Sequence, residues 1–208
     1  MATAASKRQS SSSARTSATN GRISPEIRAP RRPREVQPFG HVRLQPIALS
    51  AEARIESCRL LNEILADSQV LYALYKKHHW LVAGPTFYQL HLLFDKHAEE
   101  QLELVDLIAE RVQVLGGIAV GDPRHAAELT SIERAPDGAE EVTGMLDRLL
   151  NAHESVIERI RAAITAAEES EDWGTNDLLM GDVLRRHELQ VWFVSAHLVD
   201  VPLAAPKG

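Results

Sequence analysis

Hydrophobic residues recur at helical spacing over four long stretches of the chain, and this pattern predicts an all-α protein. The first predicted helix covers residues 51 to about 82, and Ser50 is a favourable N-cap for it. The second covers about 85 to 115. Gly84-Pro85 ends the first helix and begins the second, and Gly116-Gly117 ends the second, so only a tight turn separates the two.

A long connection follows the second helix, and a short helix is predicted within it near residues 124–134. The third long helix covers roughly 139–169, and the fourth covers about 176–199, with Thr175 or Asn176 as its cap. Ferritin-like bundles combine one long crossover with short links on either side of it. The order of elements therefore predicts a ferritin-like four-helix bundle with a long crossover between helices two and three.

The predicted domain boundaries follow shifts in composition and charge. Residues 1–48 hold nine basic and two acidic groups, a net charge of +7. They are predicted to be a largely disordered tail, because residues 1–38 are rich in Ser, Arg and Pro and lack a hydrophobic period. The bundle covers residues 49–200, and residues 201–208 are a short C-terminal tail. The acid-poor beginning also fits an organelle transit peptide.

Charge and cysteine content narrow the classes of function. The whole chain carries −6, so the residues after the basic tail carry −13. An acidic body with a basic arm suggests cation handling by the body and polyanion contact by the arm. The single cysteine, Cys58, excludes an internal disulfide and a thiolate cluster, and it favours the cytoplasm, with nucleoid association if DNA is bound. No apolar run approaches the roughly 20 residues of a membrane span, so no membrane association is expected.

One stripe of the second helix carries two pairs of side chains that can bind metals. His91 and Asp95 are four residues apart and share a face, and Asp106 and Glu110 repeat that spacing. At about 100° per residue, the four side chains lie within an arc of about 100°. His79 stands just before the turn into this helix and could join His91 and Asp95. Imidazole and carboxylate are both ligands for divalent iron, so the stripe predicts metal chemistry.

The two pairs are too far apart to bind one metal ion within a single subunit. Asp95 and Asp106 are separated by about 16 Å along the helix axis, at about 1.5 Å per residue. Bonds between first-row metals and their ligands are only about 2 Å long. Two copies of the helix, packed antiparallel about a two-fold axis, would bring each Asp106/Glu110 pair to a neighbouring His79/His91/Asp95 group. The spacing therefore predicts a dimer interface with two equivalent sites.

The sequence does not support an intrachain di-iron centre of the ferritin type. Such centres use a Glu-x-x-His motif on two helices, and no glutamate stands three residues before any of the nine histidines. A haem-containing, bacterioferritin-like protein is a further interpretation of the same bundle pattern.

Longer motifs extend around the predicted ligands. His79-Trp80 is followed by Val82-x-Gly84-Pro85-x-Phe87-x-x-Leu90-His91-x-x-x-Asp95, and then by Asp106-x-x-Ala109-Glu110-Arg111-x-x-x-Leu115-Gly116. Near the end come Gln190-Val191-Trp192-Phe193-Val194 and Ala196-His197-Leu198. Together these motifs resemble the signature of the Dps family (DNA-binding proteins from starved cells), and the resemblance covers about residues 50–199.

The resemblance implies a function and a set of site residues. Carried over by position, the family's ferroxidase ligands fall on His79, His91 and Asp95 of one subunit and on Asp106 and Glu110 of its mate. Each site would hold two iron ions (Fe), and zinc is the alternative metal for the same site. The family forms a homo-oligomer, a dodecamer. It oxidises Fe(II), preferentially with hydrogen peroxide, stores ferric oxide in the shell and protects DNA from oxidative damage.

Some assignments have a simpler alternative. His78 competes with His79 as a ligand, and only the resemblance favours His79. Trp80 and Trp192 resemble tryptophans that the family places near the site, but packing in the core is the commoner role for such residues.

Two functional alternatives concern charged segments. The acids at 168–172, with Asp177 and Asp182, could line an iron pore, or they could be an acidic loop and an ordinary helix start. The interval from Asp177 to Trp192 is slightly longer than the family pattern suggests, so residue roles are not transferred there. The main alternative function is sequence-independent DNA binding and nucleoid compaction through the basic tail, since no base-reading motif is present.

Overall fold

The structure is a computed structural model that describes residues 34–199. Residues 1–33, which contain most of the predicted basic tail and the whole transit-peptide alternative, lie outside the described residues, as do residues 200–208. Among the helices of the described part, none combines the length and the apolar character needed to cross a bilayer.

Residues 34–199 form helices and no strands, which confirms the predicted all-α class. The elements are α1 (Ala51–Leu81), α2 (Phe87–Val114), α3 (Pro123–Leu129), α4 (Val142–Glu169), α5 (Trp173–Leu178), a π-helical segment (Leu179–Leu184) and α6 (Arg185–Ser195). The last three follow one another directly, so together they make the fourth long helix of a bundle with α1, α2 and α4. The short helix α3 lies in the long crossover.

The bundle core consists of apolar side chains that recur along the inner faces of these helices. The α1 helix packs against α2 and α4, and α4 packs against all three parts of the fourth helix. Burying one large aliphatic or aromatic side chain contributes about 1.5–3 kcal/mol, so this core is the main source of stability. Its largest fully buried members are Tyr75, Phe94, Leu61, Ile64, Leu65, Leu71, Leu90, Leu104, Ile108, Leu115, Met145 and Leu146.

A local cap begins α1, and a short turn joins it to α2. The hydroxyl of Ser50 accepts a hydrogen bond from the backbone N–H of Ala53 at 3.0 Å, as the N-cap prediction requires. The α1 helix ends at Leu81, and Gly84 in the turn has φ 98°, which a residue with a Cβ rarely adopts. This turn places the end of α1 beside the beginning of α2, where the predicted histidine ligands lie.

The crossover is fixed to the bundle by a buried carboxylate. Asp67 of α1 is fully buried, and its oxygens accept hydrogen bonds from Thr130, Ser131 and Arg159. Burial raises the pKa of the Asp67 carboxyl, although these hydrogen bonds act in the opposite direction. Because the donors come from the crossover and from α4, the single side chain of Asp67 joins three parts of the chain.

The segment before α1 is bound to the end of α2, although the sequence places it within the predicted tail. The amide of Gln37 and the backbone N–H of Arg43 both donate to the carbonyl of Gly116, each at 2.9 Å. Gly116 has φ 90°, and a Cβ there would lie 2.4 Å from the carbonyl oxygen of Arg43. Glycine is therefore required where the segment crosses the end of the helix.

The fourth helix begins earlier than predicted. Asp172, and not Thr175 or Asn176, is its N-cap, because the Asp172 carboxylate accepts from the backbone N–H of Thr175 at 3.1 Å. The helix therefore begins at Trp173 and ends at Ser195, whereas the predicted range was about 176–199.

Asp172 is also the centre of a buried polar cluster. Besides its capping bond, it accepts hydrogen bonds from Arg111 at 2.5 Å, from Ser57 at 2.7 Å and from the hydroxyl of Thr175 at 2.6 Å. Burial alone would raise the pKa of the carboxyl, but the hydrogen bonds from Thr175 and Ser57 and the charge of Arg111 lower it overall. A Cβ at Gly174 would lie 2.8 Å from the Arg111 guanidinium, so glycine leaves room for this ion pair. The cluster joins α1, α2 and the fourth helix.

The π-helical segment changes the phase of the fourth helix. Four residues of the fourth helix face inward at regular intervals of four residues: Thr175, Leu179, Val183 and His187. A regular α-helix repeats every 3.6 residues, so it could not keep that spacing on one face. A π-helical turn holds an extra residue, and this keeps all four side chains in the core. The segment lies within the interval from Asp177 to Trp192.

Candidate metal centre

His79 at the end of α1 and His91 near the beginning of α2 form a reciprocal pair. The ring Nδ1 of His79 is 2.8 Å from the carbonyl oxygen of His91, and the ring Nδ1 of His91 is 2.9 Å from the carbonyl oxygen of His79. The two rings are stacked, with centroids 3.8 Å apart and an interplanar angle of 19°. The pair therefore fixes both the position and the orientation of two imidazoles across the α1–α2 turn.

These hydrogen bonds also determine the tautomers. A carbonyl oxygen can only accept, so each Nδ1 must carry the proton, and each Nε2 of a neutral ring is left with a free lone pair. Histidines that bind metals commonly donate their second ring N–H to a backbone carbonyl in this way. The hydrogen bonds of His79 and His91 thus leave both Nε2 atoms without a backbone partner.

Asp95, one turn after His91, lies at the same place. One of its carboxylate oxygens is 3.9 Å from Nε2 of His79, and the same oxygen accepts a hydrogen bond from Lys76 at 2.5 Å. The hydrogen bond from Lys76 lowers the pKa of the Asp95 carboxyl, so Asp95 is charged at neutral pH. A metal ion would have to displace the Lys76 ammonium or use the second oxygen.

Sequence reasoning missed Lys76, although a signal was available. Lys76 stands three residues before His79, and residues three apart lie on the same face of a helix. A basic residue at that spacing from a predicted ligand could have been identified as a neighbour of Asp95.

Asp106 and Glu110 lie further along α2 and are exposed, away from His79, His91 and Asp95. Within residues 34–199, no three His, Cys, Asp or Glu side chains of the one chain are grouped so that they could hold a metal ion. The structure thus brings three of the five predicted ligands near one another, and it leaves Asp106 and Glu110 free on the outer face of the same helix.

The outer face of α2 around these carboxylates is unusually apolar. Tyr88, Leu92 and Leu102 are 68%, 48% and 53% exposed on the chain, and they share a face with Asp95 and Asp106 at about 100° per residue. Large apolar side chains that are this exposed and that alternate with the predicted ligands are typical of a surface that another protein covers.

His78 is buried in the core, whereas Trp80 and Trp192 are exposed. His78 is fully buried, and neither of its ring nitrogens has a hydrogen-bond partner in the described part of the chain. Burial lowers the pKa of His78 to about 4, so it is a neutral core residue, and His79 is the one beside His91. Trp80 and Trp192 are 70% and 65% exposed, which contradicts the core-packing interpretation for both.

The acidic residues proposed for a pore divide into two groups. Asp172 is 2% exposed and bound to Arg111, so it does not line a solvent channel of this chain. The pore interpretation is therefore wrong for Asp172. The remaining acids are exposed, and for them it stays a prediction: Glu168, Glu169, Glu171, Asp177 and Asp182.

Comparison with known proteins agrees with this architecture. The family described as the ferritin-like domain matches residues 58–204. The structure is similar to that of DpsC from Streptomyces coelicolor, with a TM-score of 0.81 and 58% identity over 83% of this chain and 100% of that one.

Two further relatives are similar over most of their own length. A DNA protection during starvation protein 2 from Bacillus anthracis is 32% identical over 67% of this chain and 94% of the relative. A low temperature-induced protein from Nostoc sp. is 36% identical over 78% of this chain and 90% of the relative.

Proposed function

Because the chain belongs to the Dps family of ferritin-like proteins, we propose that it oxidises Fe(II) at sites shared between two-fold related subunits. The ferric product would be stored in a closed, dodecameric shell. His79, His91 and Asp95 of one subunit, with Asp106 and Glu110 of its mate, would bind the iron. The observation that carries the proposal is the reciprocal hydrogen bonding of His79 and His91, which leaves the Nε2 lone pair of His79 3.9 Å from Asp95.

The exposed face of α2 supports the shared site. Asp106 is about 16 Å from Asp95 along the helix axis, so the two groups can meet only if a second copy of α2 lies antiparallel to the first. The apolar side chains Tyr88, Leu92 and Leu102 on the same face would be buried by that contact. A two-fold interface of this kind generates two equivalent sites.

The ligand set suits the oxidation of Fe(II) by hydrogen peroxide. Two Fe(II) ions bound side by side supply the two electrons that peroxide needs, and with two protons the products are two Fe(III) ions and two waters. Three carboxylates stabilise the higher charge of Fe(III), while two imidazoles keep affinity for Fe(II). Because both electrons are delivered together, no hydroxyl radical is released.

A mixing experiment tests whether the site is shared. His91→Ala removes a ligand from one half of the site, and Glu110→Ala removes a ligand from the other half. If the two variant chains are co-expressed at equal levels with different tags, half of the dimers are mixed, and each mixed dimer has one intact site of two. We expect mixed shells to recover about one quarter of wild-type peroxide-dependent Fe(II) oxidation, while each variant alone is inactive.

A matched mixture provides the control. His91→Ala co-expressed with Asp95→Ala should show no recovery, because both changes affect the same half of the site. Recovery in that mixture, or inactivity of the His91→Ala and Glu110→Ala mixture in shells of normal mass, would show that the five residues do not form a shared site.

DNA binding through the basic tail is a second candidate function. The tail carries a net charge of +7 in each copy, and the relative from Bacillus anthracis is named for DNA protection. Many tails displayed on one shell would contact phosphates together, and the resulting binding would be strong, insensitive to sequence and steeply salt-dependent.

A truncation that spares the bound segment tests this candidate. Deleting residues 1–33 removes seven basic groups and one acidic group but leaves Gln37 and Arg43, which hydrogen-bond to the body. We expect full-length shells to retard duplex DNA at low salt and the truncated shells not to do so, with Fe(II) oxidation unchanged. Equal retardation by both proteins would assign DNA binding to another surface.

A further inference from the structure

Four polar side chains meet in the centre of the bundle, away from the solvent. Tyr75 comes from α1, His97 from α2, His153 from α4 and His187 from α6, so each long helix contributes one. Tyr75, His153 and His187 are fully buried, and His97 is 1% exposed. Burying four polar groups opposes folding unless they satisfy one another, and none of them belongs to the proposed iron site.

The four groups form one hydrogen-bonded chain. The hydroxyl of Tyr75 is 2.6 Å from Nε2 of His153 and 3.2 Å from Nδ1 of His97, and Nδ1 of His153 is 3.0 Å from Nδ1 of His187. The 2.6 Å between Tyr75 and His153 is typical of an O–H donor, and the 3.2 Å between His97 and Tyr75 is typical of an N–H donor. His97 therefore donates to Tyr75, Tyr75 donates to His153, and His153 donates to His187.

Burial keeps all four of these side chains neutral. Burial raises the pKa of the Tyr75 phenol, so it stays protonated. Burial lowers the pKa of His97 to about 4 and that of His187 to about 3, and it also lowers the pKa of His153. A neutral phenol thus faces a neutral imidazole whose lone pair can accept its proton.

The hydrogen-bonded chain of these four side chains lies close to the proposed iron site. Tyr75 is one helical turn before His79, about 6 Å along the axis of α1, and His97 stands two residues after Asp95 on α2. The ring centroid of Phe94 is 6.1 Å from that of Tyr75 and 6.2 Å from that of His78, the residue before His79. Tyr75, Phe94 and His78 are all fully buried, so packed aromatic side chains connect the phenol of Tyr75 with the residue next to His79.

We propose that Tyr75 is a one-electron donor to the iron site and that its phenolic proton passes to His153. This proposal rests on the proposed function, because hydrogen peroxide at that site is the oxidant. The donor acts when only one Fe(II) is bound, since one Fe(II) supplies one electron and peroxide needs two. Tyr75 supplies the second electron, and this prevents the release of hydroxyl radical.

The step balances in atoms and electrons. Peroxide takes one electron from Fe(II), one electron from Tyr75 and two protons from solvent, its O–O bond breaks, and two waters form. The products at the protein are Fe(III), a Tyr75 phenoxyl radical and a protonated His153. A later Fe(II) returns one electron to the phenoxyl, and His153 returns the proton, so the phenol is restored.

The three tyrosines of the chain make the test specific. Full-length shells are loaded with one Fe(II) per site without oxygen, mixed with peroxide and frozen rapidly for electron paramagnetic resonance. We expect a tyrosyl radical in the wild type and in Tyr72→Phe and none in Tyr75→Phe, while Tyr88, which lies on the proposed interface, is left unchanged in all of them. Ring-deuterated tyrosine should narrow the signal, which excludes a tryptophan radical. Hydroxyl radical captured by a spin trap should rise severalfold in Tyr75→Phe alone.

Loading with two Fe(II) per site separates this proposal from the proposed function. The wild type and Tyr75→Phe should then oxidise iron at the same rate, because both electrons come from iron. Normal iron oxidation with no radical that depends on Tyr75 would overturn the electron-donor role and leave the iron site intact. Failure of the wild type to oxidise iron at all would overturn both, because the donor would have no oxidant.

Discussion

Replacing His91 by alanine should lower the rate of peroxide-dependent Fe(II) oxidation by at least about 100-fold. Losing a group that merely orients a metal ligand costs about 10–100-fold in metal affinity or activity, and His91 is proposed to be a ligand itself. The change also removes the hydrogen bond from His91 Nδ1 to the His79 carbonyl, and it leaves the His79 ring without its stacking partner. Formation of the ferric product can be followed by absorbance after anaerobic loading with Fe(II).

His197→Ala is a matched control for this variant. The Nδ1 of His197 is 2.8 Å from a backbone carbonyl, as that of His91 is, but His197 lies in the exposed turn after α6 and is not among the proposed ligands. It should oxidise iron at the wild-type rate. Wild-type activity in His91→Ala, in shells of normal mass, would remove His91 from the site.

Replacing Asp172 by alanine should destabilise the protein by about 3–5 kcal/mol, because removing one partner of a buried ion pair leaves the other charge unpaired. The change leaves Arg111 without its carboxylate, removes acceptors from Ser57 and Thr175, and removes the N-cap of the fourth helix. We expect the midpoint of thermal unfolding to fall by about 10 °C, measured by circular dichroism at equal protein concentration.

Asp137→Ala provides the comparison. Asp137 pairs with Arg134 at 2.6 Å, a distance close to that of the buried pair, but both side chains are more than four-fifths exposed. Exposed ion pairs contribute about 0–1 kcal/mol, so the melting midpoint should hardly change. Equal effects of Asp137→Ala and Asp172→Ala would mean that burial does not determine the strength of these pairs.

The sequence predicted the long helices well because their apolar periodicity is strong and their ends carry clear signals. Ser50 and Gly84-Pro85 locate the ends of α1 to within about two residues. The beginning of the fourth helix was missed, because several acids and hydroxyls in a row can each act as a cap. Only the buried contact of Asp172 with Arg111 selects among them, and that contact is not visible in local sequence.

The candidate site was predictable in its residues but not in its geometry. The spacing of His91, Asp95, Asp106 and Glu110 follows from helical periodicity, and the structure places His79 beside the first two. The reciprocal hydrogen bonds of the histidines depend on how the α1–α2 turn folds back, so no pattern could reveal them. Likewise the central histidines were not singled out, since a polar residue on an apolar stripe gives no sign of its buried partners.

The extra residue of the π-helical segment is one that the fourth helix could lose without moving its end out of the core. Upstream of it, the helix is anchored by Asp172, and downstream it carries His187 into the core. Thr175 and His187 are twelve residues apart. Deleting one residue of the π-helical segment would leave eleven, which at about 100° per residue is close to three whole turns of a regular α-helix. His187 would then still face inward, so the loss of a single codon here would leave the tyrosine–histidine chain with its last member in place.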